Sequence, residues 1–331
     1  MDIVRFVKNW TLPISMITGA LSYFIYASIP ALNGTHAFAN EFIGHLQPLL
    51  IFSMLFLTFC KVKPSELKPK AWFIWLALIQ CGLFSIGAFY LTFNPDTSLR
   101  LIIEGAMLSI ICPTATACAV VTMRLGGSAA LITTYTILIN LAVAILAPAL
   151  LPLAHPQEGI SFLPAFFTII GKIFPMLICP LITAWIIRYF FPTLHQFFLR
   201  MKDLAFYLWA IALAIAIAVT CKAIMKNEGN LTDIIAIAFA SLICCIFQFA
   251  IGKYIGGKHG YRIEGGQALG QKNTVFIIWL GYTFLSPVSS IAGGFYSVWH
   301  NLINTYQLNK KRKADERAAI AKTERKEDNS K

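Results

Sequence analysis

The chain reads Cys-Pro-Thr-Ala-Thr-Ala-Cys at positions 112–118 and Gly-Gln-Lys-Asn-Thr at positions 270–274, and both segments interrupt otherwise apolar stretches. In a bilayer, an unpaired backbone group or an ammonium costs several kcal/mol. Polar breaks of this kind persist where they line a buried site. Each interruption therefore predicts a place where a solute or an ion is held.

The composition is that of a membrane protein. Apolar residues make up 57% of the chain, charged residues only 13%, and the mean hydropathy is +0.69. This charged share is about half that of a soluble domain. The net charge of +12 comes from short loops and the tail, as the positive-inside rule predicts, so no nucleic-acid partner is expected. The eight cysteines show neither metal-ligand nor disulfide spacing and are interpreted as packing residues.

Charge and turn signals mark off ten apolar spans of the length needed to cross a lipid bilayer. They are placed near 11–30, 42–60, 71–93, 99–123, 128–152, 163–190, 203–222, 233–253, 264–284 and 287–307.

Basic residues concentrate on one side of these spans, which predicts cytoplasmic N and C termini. Residues 1–30 imitate a signal peptide, but the loop charges favour a retained first helix. The basic side carries Arg5, Lys8, Lys61, Lys63, Lys68, Lys70, Arg124, Arg188, Arg200, Lys202, Lys253, Lys258, Arg262 and the tail from Lys310, and the opposite side carries Arg100, Lys222 and Lys226.

Ten spans with both ends on one side divide into five and five, the arrangement of inverted-repeat transporters. The predicted repeats are 1–157 and 158–308, followed by a charged tail at 309–331 that is expected to extend as a helix and fray. The two interruptions then fall in the fourth span of each half. Half-helix N-termini that face one another suit an anion, and released carbonyls suit a cation. An ordinary proline kink at Pro113 is the alternative for span four.

Three segments resemble the bile acid:sodium symporter family, namely 55–68, 112–122 and 270–274. The resemblance extends over residues 11–307. It implies a bacterial inner-membrane protein with a panel domain of spans 1, 2, 6 and 7. It also implies a core domain of spans 3 to 5 and 8 to 10, in which the unwound spans four and nine cross.

The resemblance also implies site residues. The substrate-facing threonine and asparagine of the family fall on Thr116 and Asn273, with Thr114 and Thr274 beside them. At the sodium sites, oxygen ligands are replaced by Cys118, Ala119, Ile132 and Ala268, whereas Thr136 remains. A span-nine glutamine becomes Lys272, next to Gln271, and a span-three glutamine corresponds to Gln80.

Sodium is a hard cation that needs several oxygen ligands, and the replacing side chains supply none. An ammonium at position 272 would repel sodium and could take over its hydrogen bonds to Gln80 and to crossover carbonyls. We therefore expect Lys272 to substitute for the coupling ion, or to load and release a proton. The alternative is a fixed charge that pairs with Glu264 or points to water.

Other polar residues receive simpler interpretations. Glu104 and Glu264 are expected near helix ends, as interfacial or first-turn carboxylates, and Lys172 either snorkels or reaches an inter-domain cavity. Asn140 is predicted to form a helix-to-helix hydrogen bond. His300 is predicted to be a packing histidine with its hydrogen bonds satisfied.

These observations favour a secondary transporter of a small organic anion that works by alternating access. No cofactor is expected; sodium is not favoured as the coupling ion, and a proton is the remaining candidate. An enzyme would need a convergent acid, base or nucleophile, and a channel would need a continuous polar stripe. A conventional sodium symporter and a membrane sensor that transports nothing stay open as alternatives.

Overall fold

The computed structural model describes residues 3–156, 159–201, 203–226 and 230–328. Every named element in these ranges is helical: α1 Ile3–Ser28, α2 His36–Cys60, α3 Trp72–Phe93, α4 Arg100–Ile111, α5 Cys118–Leu125, α6 Ala129–Ala154, α7 Phe162–Leu177, α8 Cys179–Phe190, α9 Pro192–Arg200, α10 Leu204–Lys226, α11 Leu231–Lys258, α12 Arg262–Gly270, α13 Thr274–Phe284 and α14 Pro287–Asp328. Lys202 and the predicted repeat boundary at 157/158 lie outside the described residues.

Six helical stretches among the described residues are long and apolar enough to cross a membrane: Pro30–Cys60, Trp72–Phe93, Ala129–Ala154, Phe162–Phe190, Leu204–Met225 and Leu231–Lys258. Large apolar side chains such as Phe38, Ile86 and Phe93 are exposed on these helices, as expected of surfaces that meet lipid. The protein is thus an all-helical integral membrane protein. Ten spans in two inverted repeats stay a prediction.

Three features differ from the predicted spans. The span predicted at 163–190 is divided at Ile178 into α7 and α8, where Pro180 occupies the first turn of α8. A short amphipathic helix, α9, follows it and was not predicted. The charged tail continues α14 as one helix as far as Asp328, so the predicted fraying is not seen within the described residues.

Two groups of helices pack around the broken ones. The first group contains α1, α2, α8 and α10, in which α1 lies along α10 and α2 lies along α8. In the second group α11 contacts α4, α12 and α14, while α3 contacts α4 and α6. The groups resemble the predicted panel and core, and that division into domains remains a prediction.

Glycines allow α11 and α12 to approach at backbone distance. A Cβ built on Gly265 would lie 2.3 Å from the carbonyl oxygen of Gly252 and 2.8 Å from the Cα of Gly256. A Cβ on Gly252 would in turn lie 2.3 Å from the carbonyl oxygen of Gly265. Small residues let membrane helices pack this closely. The contact fixes α12, and hence the break that follows it, against α11.

Candidate functional site

The two polar interruptions, far apart in sequence, meet in the structure. The Ala115 N–H donates to the carbonyl oxygen of Gln271 at 2.9 Å, and the Asn273 N–H donates to that of Pro113 at 2.9 Å. These bonds form an antiparallel bridge between Thr114 and Lys272. Two broken helix pairs, α4–α5 and α12–α13, therefore cross at their breaks, and this crossing is the candidate site.

Local chemistry explains both breaks. α4 ends at Ile111, and Cys112 is extended with ψ 137°, because the ring of Pro113 disfavours helical geometry in the residue before it. α12 ends at Gly270, where a Cβ would lie 2.4 Å from the ring of Phe249. Asn273 starts α13 by accepting a hydrogen bond from the Phe276 N–H at 3.2 Å, the usual role of an N-cap residue.

Gln80 supplies donors to the first break. Its Nε2 donates to the carbonyl oxygens of Ile111 at 2.8 Å and of Cys112 at 2.9 Å. Its Oε1 accepts from the Tyr135 hydroxyl at 3.3 Å. Tyr135 was not predicted as a site residue, because an aromatic residue on the apolar face of span five has no distinguishing pattern.

Carbonyls beside the second break also have side-chain donors. The Thr114 hydroxyl donates to the Ala268 oxygen at 2.7 Å, and the Cys118 thiol donates to the Gln267 oxygen at 3.3 Å. The Tyr296 hydroxyl donates to the Gly270 oxygen at 2.9 Å, and this contact was not predicted either. Oxygens released by unwinding are thus engaged by protein donors.

Lys272 is fully buried at the crossing, with 0% of its surface exposed. Its Nζ has no hydrogen-bond partner within the part of the chain that the structure describes. Glu264, named above as a pairing alternative, instead accepts the Ser128 N–H at 2.8 Å. Hydrogen bonds from Lys272 to Gln80 or to crossover carbonyls are absent from the described residues. Four thiols lie within electrostatic range of the ammonium: those of Cys81, Cys112, Cys118 and Cys244.

The predicted substrate residues lie together, but they differ in accessibility. Thr114, Asn273 and Thr274 are buried, at 1%, 6% and 6% exposure. Thr116 is partly exposed, as are Ala115 and Ala117 on either side of it. α5 and α13 begin next to these residues, so two positive helix ends point at the crossing.

The remaining predicted ion-site residues offer few free oxygens. The Thr136 hydroxyl donates to the carbonyl of Ile132 in its own helix at 2.9 Å. Ala268 is fully buried and Ala119 is partly buried. Gln271 is buried at 3% exposure, and its Oε1 has no partner among the described residues.

Both ends of α6 are held by carboxylates of the broken helices. Glu264, in the first turn of α12, accepts from Ser128, the N-cap of α6. Glu104 lies 3.0 Å from the ring nitrogen Nδ1 of His155, directly after α6, and 3.4 Å from Arg100. Glu264 is therefore a first-turn carboxylate as predicted. Glu104 is fully buried near the start of α4.

One further prediction is wrong within the described residues, and another is met only in part. Neither side-chain atom of Asn140 has a hydrogen-bond partner there, although a helix-to-helix bond was predicted. His300 is buried, but its Nδ1 is without a partner.

Lys172 is exposed and its Nζ lies 5.4 Å from the ring centre of Phe284, so it reaches from α7 to the end of α13.

The chain resembles a known protein along nearly its whole length. The chain is 25% identical over 314 residues to the uncharacterized sodium-dependent transporter YocS of Bacillus subtilis (strain 168). The alignment covers 91% of this chain and 92% of that protein. No family model matches the chain. The chain is therefore similar to a protein named as a sodium-dependent transporter along nearly its whole length, which includes both breaks of the crossing.

Proposed function

We propose that the protein is a secondary transporter that carries a small organic anion by alternating access, with the architecture of the bile acid:sodium symporters. The proposal places the anion at the crossing of α4–α5 and α12–α13. Support comes from the near full-length similarity to a protein named as a transporter and from two broken helices that meet at a polar bridge. Unwound backbone at membrane depth is typical of solute sites.

The observation that carries the proposal is the buried Nζ of Lys272, which is unpartnered in the described part of the chain. The side chain is fully buried, and no carboxylate accepts from its Nζ within the described ranges. Two helix N-termini, those of α5 and α13, add positive potential at the same point. A buried positive centre of this kind is stabilised when an anion approaches. Thr116, the accessible hydroxyl of the crossing, is the side chain placed to meet that anion, and Asn273 belongs to the second break, where its N–H donates to the carbonyl oxygen of Pro113.

Lys272 takes the place of the coupling ion in this proposal. A sodium ion would need several oxygen ligands, and the crossover oxygens of Ile111, Cys112 and Ala268 already accept hydrogen bonds from Gln80 and Thr114. The ammonium supplies the charge that a metal ion would otherwise bring. Coupling to a proton follows if Lys272 gains and loses its proton during the cycle.

The second candidate is an ordinary sodium-coupled symporter. The name of the Bacillus protein, a sodium-dependent transporter, favours it. In that case the remaining oxygens, such as those of Thr136 and Gln271, would bind sodium after a rearrangement.

A stability titration tests these candidates first. The unfolding midpoint of the purified full-length protein is measured across sodium, potassium and pH series, because a ligand that prefers the folded state raises the midpoint by mass action. The proposal expects no difference between sodium and potassium. A sodium-specific rise in the wild-type protein would contradict it and support the second candidate.

Transport in proteoliposomes then tests the role of Lys272. Radiolabelled taurocholate and pyruvate serve as the probes, under imposed sodium and pH gradients. Lys272→Gln is expected to abolish the pH response or to create a dependence on sodium. Lys258→Gln, at the end of α11, is the matched control and is expected to behave like the wild type. Unchanged transport by Lys272→Gln would exclude any coupling role for the lysine.

A further inference from the structure

A row of buried polar side chains runs along one face of α14. Tyr296, His300 and Asn304 are spaced four residues apart, which places them on the same side of the helix. Their exposures are 0%, 5% and 3%. Polar residues in a row inside a membrane protein are costly and usually functional. The row faces two glutamines on neighbouring helices, Gln248 of α11 and Gln267 of α12; these five residues are here called the polar file.

Direct contacts join the members of the polar file. The Gln248 Nε2 donates to the Tyr296 hydroxyl at 3.0 Å. The ring of His300 packs edge-on against that of Tyr296, with the ring centres 5.7 Å apart. The Gln267 Nε2 donates to the Asn304 Oδ1 at 2.9 Å. The contacts thus form two groups that follow one another along α14, Gln248–Tyr296–His300 and Gln267–Asn304.

These contacts leave several buried polar atoms without a partner in the described chain. Four buried atoms of the file have no hydrogen-bond partner among the described residues: Gln248 Oε1, Gln267 Oε1, His300 Nδ1 and Asn304 Nδ2. Leaving one such atom dry costs about 1–3 kcal/mol. A buried water typically bonds to about three otherwise unsatisfied groups. The four atoms are two acceptors, one donor and one imidazole nitrogen that can be either, so the strip is suited to ordered water molecules.

The inner end of the polar file reaches the crossing. Tyr296 donates to Gly270, two residues before Lys272. The thiols of Cys112 and Cys244 lie near both the Lys272 Nζ and the Tyr296 hydroxyl. The two groups therefore lie in the same part of the interior.

The outer end of the file leads to the surface. Gln307, about one turn beyond Asn304, has a buried Nε2 without a partner in the described chain. Lys311, one turn further, pairs with Asp315 at 2.6 Å where α14 is exposed. The strip thus runs from the crossing to the side of the protein that carries the charged tail.

We propose that the polar file holds a chain of buried water molecules and is the route by which a proton passes between Lys272 and the tail-side surface. This inference rests on the proposed function, in which Lys272 exchanges a proton. Each step moves one proton from a donor to the next acceptor, and one proton leaves at the far end. The ring of His300 can receive a proton on one nitrogen and release one from the other.

The titratable neighbours of this route are mostly thiols. Tyr296 faces Cys244 and Cys245 of α11 and Cys112 of the first break. Lys272 faces Cys81 of α3 and Cys118 of α5, besides Cys112 and Cys244. Glu264 lies one turn before Gln267 on α12, and its Oε1 is bonded to Ser128. On the tail side, the Lys253 side chain of α11 packs against Gly266 of α12 and lies near Arg262 and Lys310. Thiols therefore flank the inner part of the route, and charged groups flank its outer part.

X-ray hydroxyl-radical labelling of the full-length protein in nanodiscs tests the water chain directly, because bound water generates radicals inside the protein. Tyr135 is the matched control, since it is equally buried and bonds to Gln80. We expect labelling of Tyr296 several-fold above that of Tyr135, and a fall in that labelling in Asn304→Leu. Equal labelling of the two tyrosines would overturn the proposal, whatever the protein transports.

Proton movement tests the route. Proteoliposomes that contain a pH-sensitive dye are supplied with taurocholate or pyruvate, and uptake driven by a pH gradient is compared with exchange of the same probe at equal pH. Asn304→Leu is expected to slow the driven uptake several-fold and to leave the exchange unchanged. Asn301→Leu is the control, because the Asn301 side chain donates to Ser297 of its own helix at 2.7 Å.

The outcomes separate the two proposals. If Asn304→Leu shows both exchange and gradient-driven uptake as fast as the wild type, the proposed proton route is overturned and the transport function stands. If the wild-type protein neither takes up nor exchanges taurocholate or pyruvate, the result counts against the transport function. The labelling experiment then still decides whether the polar file holds water.

Discussion

Replacing Gly265 by alanine should destabilise the protein strongly, whereas the same change at Gly257 should not. A Cβ on Gly265 would lie 2.3 Å from the carbonyl oxygen of Gly252, and an ordinary contact begins at 3.4 Å, so the atoms must separate by about 1.1 Å (3.4 − 2.3). Both sides of this contact are backbone and have no rotamer to change. A Cβ on Gly257 meets only the side chain of Arg262, at 3.7 Å.

The expected free energies follow from these distances. Overpacking costs about 1–3 kcal/mol, and the backbone contact at Gly265 places its cost at the upper end, about 3 kcal/mol. Alanine in a helix regains at most about 1 kcal/mol over glycine. The net loss for Gly265→Ala is thus about 2 kcal/mol or more, and Gly257→Ala should be neutral or slightly stabilising. Because one separation of α11 from α12 relieves both clashes, Gly252→Ala combined with Gly265→Ala should cost less than the sum of the two single changes.

Titration of the micellar protein with a denaturing detergent, followed by tryptophan fluorescence, gives these free energies of unfolding. A difference between Gly265→Ala and Gly257→Ala below about 0.5 kcal/mol, the size of a neutral surface change, would refute the close contact. A double variant that costs the full sum would show that the two clashes are relieved independently.

Two further comparisons use the same assay. Gln80→Leu removes the donor from two crossover carbonyls and should cost about 2–6 kcal/mol, at about 1–3 kcal/mol per orphaned group. Gln47→Leu, at a buried amide whose Nε2 has no partner among the described residues, should cost less than about 1 kcal/mol. Similar losses for the two variants would contradict the role given to Gln80. Thr114→Val breaks a hydrogen bond between the two broken helices and should cost about 1–2 kcal/mol. Thr136→Val breaks only a hydrogen bond within its own helix and should cost less. A larger loss for Thr136→Val than for Thr114→Val would refute the role given to the Thr114 hydroxyl.

The breaks were the part of the fold that the sequence predicted best. Pro113 and Gly270 act on the backbone within one or two residues, so their effect is readable without knowledge of the partner helices. The pairing of the two breaks was expected from the resemblance and from the repeat argument. Lys272 was recognisable as a candidate site residue because a charged side chain inside an apolar span is costly and usually has a function.

Contacts between distant helices were predicted poorly. The hydroxyls of Tyr135 and Tyr296 bond to groups of the crossing, yet an aromatic residue in an apolar span gives the same signal when it faces lipid. The bond of Glu264 to Ser128 depends on how α12 meets the start of α6. Hydrophobic periodicity reports which face of a helix is buried, and it does not report which helix covers that face.

The contacts at the two ends of α6 have a consequence for movement. α6 contains 26 residues and is therefore about 39 Å long. Glu264 of α12 contacts its first end, while Glu104 of α4 contacts its second end through His155. A rigid helix of fixed length thus sets the spacing between two carboxylates that belong to different broken helices. Any rearrangement that keeps both contacts must carry α4, α6 and α12 as one body, so bending has to occur in the segments that connect this body to the rest of the chain.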